Sequence, residues 1–120
     1  MESLKALEKM TERLLEYTLQ FQKTFELTRE KNADGDFYSD IKPFADKVKE
    51  INDQWKEAAL RESSFLARNG ISIRQIENAH EHIDKLSIQA FFVKTSRYTF
   101  INSCRTVEYT LKTILDKLKP

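Results

Sequence analysis

Two glycines (Gly35, Gly70) and two prolines (Pro43, Pro120) are all the backbone breakers in 120 residues. An all-β chain needs a turn signal roughly every 8–12 residues, so this scarcity excludes it. One cysteine, Cys104, cannot close an internal disulfide and rules out a zinc site built on paired thiolates. Charge of one sign is also missing: 20 basic and 19 acidic side chains leave a net charge of +1. Such balance gives no electrostatic reason to bind nucleic acid or an acidic membrane surface. No apolar run is long enough to span a bilayer. The amino terminus alternates charged and apolar residues from Glu2 onward, unlike a secretory leader, and a cytoplasmic location is expected.

What remains is periodic. Apolar residues recur at three- and four-residue steps in four stretches, the spacing that places side chains on one face of an α-helix. They are Leu4, Leu7, Leu14, Phe21 and Phe25; Ile41, Phe44, Val48, Ile51, Trp55, Ala58 and Phe65; Ile76, Ala79, Ile83, Leu86, Ala90 and Val93; and Phe100, Cys104, Val107, Leu111, Ile114 and Leu118. The pattern predicts an all-α chain with helices over about 3–30, 39–68, 73–93 and 97–118. Four such helices joined by short links pack best as an antiparallel up-down-up-down bundle in a single domain, residues 1–120. Trp55, central in its stripe, is expected to be the largest single core contributor.

The boundaries have chemical causes. Asn32-Ala33-Asp34-Gly35-Asp36 ends the first helix with residues that tolerate left-handed and turn conformations. Ser39 or Asp40 can cap the second, with Pro43 in its first turn where a missing N–H costs nothing. Asn69-Gly70 stops it, and Ser72-Ile73-Arg74-Gln75 opens the third helix with a capping-box pattern. The third junction lacks glycine and proline, and the stripe stays in register through it. A continuous helix from Ile73 to Leu118 would be roughly 70 Å long, too long for a small monomer to cover. A tight turn is therefore expected at Lys94-Thr95-Ser96-Arg97, with a long helix exchanged between two protomers as the rival.

Candidate chemistry is sparse. Glu77 and His80 have the Glu-x-x-His spacing of di-iron bundles, but both histidines of the chain lie in one segment, so the second such motif cannot exist. A mononuclear site would draw on His80, Glu77, Glu81 and Asp84, while His82 points elsewhere; a solvated helix face is the preferred reading. Cys104 sits on an apolar stripe, where burial makes a thiol inert. Lys94, Arg97, Arg105, Lys112, Lys117 and Lys119 with Tyr98 and Phe100 supply the basic and aromatic residues of a single-strand binder, yet the aromatics fit the core pattern or its edge. Phe91-Phe92-Val93 cannot all face one core on a helix, so one phenylalanine must cover a loop or meet a partner. No residue is assigned as catalytic, cofactor-binding or metal-ligating, and no cofactor is expected. The expectation is a non-enzymatic protein-interaction module, self-association included, with no nucleic acid and no membrane. A metal- or small-molecule-binding bundle is the alternative.

Several segments taken in order carry a family resemblance. They are Asp36-Phe37-Tyr38-Ser39-Asp40-Ile41-Lys42-Pro43, Trp55 with Ala58 and Ala59, Gln75-Ile76-Glu77, Gln89, and Val107-Glu108-Tyr109-Thr110-Leu111. Together the chain resembles the YppE-like family of Bacillus and related Gram-positive bacteria, of unknown function. The resemblance implies a cytoplasmic four-helix bundle and brings no catalytic or cofactor residues. It makes Trp55, Tyr38 and Tyr109 hallmark positions, and core packing is expected to account for an aromatic at each.

Overall fold

The first helix, α1 (Glu2–Lys31), buries Leu7, Leu14, Phe21 and Phe25 completely, as their common face requires. The structure is a computed structural model that describes residues 2–119. Every regular element it contains is helical: after α1 come a π-helical turn at Phe37–Ile41, α2 (Lys42–Arg61), α3 (Ser63–Arg68), α4 (Ile73–Gln89) and α5 (Arg97–Leu118). α1 packs against α2 and α5, and α4 packs against the same two helices. The molecule measures 45 × 26 × 21 Å, and its long axis equals the length of a 30-residue helix.

The four stripes form one core. Val48, Trp55, Ala58, Ile76, Ala79, Ile83, Leu86, Ala90, Phe100, Cys104, Val107, Leu111 and Ile114 join the α1 residues in it. Stripe-end residues Leu4, Phe65, Val93 and Leu118 are half-buried. Trp55 is fully enclosed, and its indole N–H donates to Thr11 Oγ1 at 2.9 Å. The Thr11 hydroxyl in turn donates to the Leu7 carbonyl at 2.6 Å. A polar relay thus runs through the core with each donor satisfied.

Asn32 ends α1 with a left-handed φ of 51°, and Gly70 takes φ 83° after α3. The capping box at Ser72 and Gln75 is complete: Ser72 Oγ accepts from the Gln75 N–H, and Gln75 Oε1 accepts from the Ser72 N–H.

Three boundaries differ from expectation. The cap before α2 is Asp36, not Ser39 or Asp40: its carboxylate accepts from Ser39 N at 2.9 Å, while Asp40 reaches back to the Asp36 N–H at 2.8 Å. The chain therefore begins to coil two residues earlier, in a wider turn closed by Ile41 N to Asp36 O.

The expected second helix is interrupted at Glu62 (φ −102°, ψ 23°), giving α2 and α3. Glu62 falls at a stripe position between Ala59 and Leu66, and the interruption leaves its carboxylate half-buried on Ser3 Oγ. Leu66 remains fully buried.

α4 stops at Gln89, not 93, and a turn follows before α5, which excludes a continuous helix from 73 to 118. The carbonyls at its end and just past it have partners outside the helix. Thr95 Oγ1 donates to Gln89 O at 2.7 Å, Thr28 Oγ1 to Ala90 O at 2.9 Å and Gly35 N to Phe91 O at 2.8 Å. Ser96 then caps α5 by accepting from Thr99 N.

Phe91 packs edge-on against Phe44 and Phe92 is the more exposed, so this pair lies over the loop end of the fold. No helix among the described residues is long and apolar enough to cross a membrane.

Candidate functional site

Polar side chains meet across α2 and α4 around one buried amide. Asn52 falls between Val48 and Trp55 on the core face of α2 and is fully buried. Its Nδ2 donates twice to α4, to the His80 carbonyl at 2.8 Å and to Asp84 Oδ1 at 2.9 Å. Its Oδ1 is buried without a donor among the described residues. At the next residue, on the solvent side, Asp53 Oδ1 lies 2.8 Å from His80 Nε2, and Lys49 Nζ holds Asp53 Oδ2 at 3.1 Å. The His80 hydrogen bond, helped by Lys49 and opposed by partial burial, keeps the Asp53 carboxyl below its ordinary range.

Asp53, His80 and Asp84 each offer one ligand atom, and these atoms lie within 4.8 Å of one another. His80 and Asp84 are an i,i+4 pair on α4 and so share a face. Asp53 comes from α2, 27 positions away in sequence, and only tertiary packing brings it in. Glu77 and Glu81 line the same open hollow beside Lys56, Arg74 and Lys85, with Glu81 paired to Lys85 at 3.2 Å. Of the four residues that spacing pairs with an ion, His80 and Asp84 converge; Glu77 and Glu81 remain exposed on the rim. The amide that anchors the cluster, Asn52, carries a sequence signal: a polar residue inside an apolar stripe.

A second feature lies between α1 and α5. Leu27 and Ile101 form the apolar floor of a groove edged by Gln22, Lys23 and Glu26. Leu19 and Leu27 are about half exposed, at 51% and 52%, and share a helix face with Lys23 between them. Gln22 bonds Glu108 across the groove, and Arg97 clamps Glu26 through two hydrogen bonds of 2.8 Å.

Several other candidates are absorbed elsewhere, while Tyr98 is 80% exposed and lies outside the core. Cys104 is buried on α5, and burial, with Glu108 nearby, pushes its thiol up to about 12. Phe100 stacks on Phe25 at 4.3 Å in the core, which removes it as a base-stacking surface. Arg97, Lys112 and Lys119 are paired with Glu26, Glu108 and Glu12. Core packing accounts for Trp55 but not for the other hallmark aromatics, because Tyr38 is 78% and Tyr109 67% exposed. Tyr38 sits on the π-helical turn, and Tyr109 points out from α5 beside buried Thr110.

Solved structures match this arrangement over nearly its full length. A protein of unknown function from Listeria innocua superimposes with a TM-score of 0.91 at 26% identity, over 98% of this chain and 94% of that one. A domain of unknown function from Staphylococcus aureus does so with a TM-score of 0.85 at 27% identity, over 94% and 96%. Protein yppE from Bacillus subtilis shares the fold at a TM-score of 0.83 and 23% identity, over 94% and 92%. Comparison with curated proteins gives no match. The profile of DUF1798, a bacterial domain of unknown function, matches residues 11–118, and the chain belongs to that family.

Proposed function

We propose that the chain is a cytoplasmic four-helix bundle, its long helices running up-down-up-down, that works by binding another protein and not by catalysis. The short links and the contacts of α1 and α4 with the same two neighbours support the bundle. The apolar groove between α1 and α5 carries the binding reading: Leu27 leaves half its surface in water beside Ile101, and Leu19, about two turns earlier on α1, is equally exposed. The inert Cys104 thiol supports the non-catalytic part.

The test is a photo-crosslinking amino acid at Leu27, activated in living cells. A discrete adduct is expected, and Leu19→Asp should abolish it while the helical circular dichroism is unchanged. An adduct of twice the chain's mass would identify the partner as a second copy. A folded chain that yields no adduct from this groove overturns the reading. A metal- or small-molecule-binding bundle is the second reading, favoured by the meeting of Asp53, His80 and Asp84 across α2 and α4.

A further inference from the structure

Placing Asn52 in the core costs the fold free energy. A buried amide oxygen without a donor is destabilising by roughly 1–3 kcal/mol relative to a satisfied one. An apolar side chain at this stripe position would avoid that cost. What Asn52 does make is specific: both of its hydrogen bonds go to residues of the Asp53–His80–Asp84 cluster, one to the His80 backbone and one to the Asp84 carboxylate. It thereby sets the height of α4 against α2 and turns the Asp84 carboxylate, leaving that group's second oxygen free of it. A hydrogen bond that orients a ligating carboxylate, as this one orients Asp84, is a common part of the outer support of a metal centre.

We propose that Asp53, His80 and Asp84 bind one divalent transition-metal ion of the zinc type, through a histidine nitrogen and two carboxylate oxygens, with Asn52 as the buried support. This gives a chemical class to the second reading above and is independent of the α1–α5 groove. One imidazole and two carboxylates make a mixed nitrogen and oxygen set, which suits zinc and its neighbours better than calcium or magnesium.

The spacing fits after a small adjustment. At metal–ligand distances of about 2.0–2.2 Å, two ligands of one ion stand roughly 3–4.3 Å apart. The observed limit of 4.8 Å needs shifts of less than an ångström. Asp53, with about half its side chain in solvent, is free to make them. Its 2.8 Å contact with His80 is bridged by a proton; the metal ion takes that proton's place, and the proton leaves to solvent or to the other ring nitrogen. Lys49 keeps its hold on the other oxygen of Asp53. Water fills the remaining positions from the open hollow beside Glu77 and Glu81.

The experiment uses the full chain, freed of any histidine tag and stripped with chelator, titrated with Zn²⁺ by calorimetry and with Co²⁺ by visible absorption. One ion per chain is expected, with a melting temperature raised by several degrees at saturating zinc. Asp53→Asn and His80→Ala should each weaken binding at least tenfold. His82→Ala should leave it unchanged. Asp53→Asn is a substitution on the solvent side of the cluster, so it decides the matter if His80→Ala fails to fold. The proposal falls if zinc does not saturate at one equivalent, if Asp53→Asn binds as the parent does, or if His82→Ala weakens binding as much as His80→Ala.

Discussion

Among single residues, Trp55 of α2 and Cys104 of α5 show how one core can hold both its main anchor and a thiol without reactivity. The Trp55 indole fills the centre and ends on the Thr11 hydroxyl. Trp55→Ala should cost about 3–5 kcal/mol in urea unfolding, the usual range for removing a large aromatic. Thr11→Val should cost about 1–3 kcal/mol in the parent, because it strands the indole N–H. In a Trp55→Phe background the same change should be close to neutral, and a double-mutant cycle reads the difference. Equal costs in both backgrounds would show that the hydrogen bond contributes nothing. For Cys104, a thiol titrating at about 12 leaves almost no thiolate at pH 8. Its reaction with a disulfide reagent should be at least roughly a hundredfold slower than in urea, limited by opening of the fold. Fast native reaction would mean that α5 is not packed as described.

At the scale of elements, the loop end of the molecule is where helices stop for tertiary reasons. Gly35 donates to the Phe91 carbonyl, and a Cβ at this position would stand 2.7 Å from Phe91 Cδ1. Phe91 cannot swing away freely, since it packs edge-on against Phe44. Gly35→Ala should therefore cost about 1–3 kcal/mol through overpacking, and Phe91→Ala should remove most of that penalty. Gly70 is the opposite case. Nothing lies within 4 Å of its missing Cβ, yet its φ is 83°. Gly70→Ala should cost about 1–2 kcal/mol from the backbone alone, whatever its neighbours. Thermal or urea unfolding of the two variants in both Phe91 backgrounds separates the causes.

For the whole molecule, carboxylates held by hydrogen bonds shape its response to acid, one across two helices and one within a capping turn. Hydrogen bonds from Arg97 hold the Glu26 carboxyl below its ordinary range, and those from Ser39 do the same for Asp36. A carboxyl depressed in the folded state stabilises the protein above its unfolded pKa, near 4. That contribution is lost as the pH falls through the lower folded value. Stability should thus be flat between pH 7 and about pH 5 and decline below about pH 4. Glu26→Gln, which removes one of these groups, should make the decline shallower. An unchanged acid slope in that variant would show that the Arg97 clamp does not outlast solvent and salt.

Helix type, the number of long helices and most buried apolar residues were legible in the sequence, because a 3.6-residue period is a local property; Tyr17, Ala59, Leu66 and Ile71 are buried outside the four stripes. Also legible were the cap at Ser72 and the stop at Asn32, which depend on neighbours in the chain. Tertiary structure decided where α4 ends, since Thr28 and Gly35 reach the Ala90 and Phe91 carbonyls just past it from a distant segment. It also decided that Tyr38 and Tyr109 face water, and that Asp53 of α2 meets His80 and Asp84 of α4. Spacing along one helix can pair His80 with Asp84. The third group comes from a different helix, and its approach is set by how two faces pack, with Asn52 fixing their register.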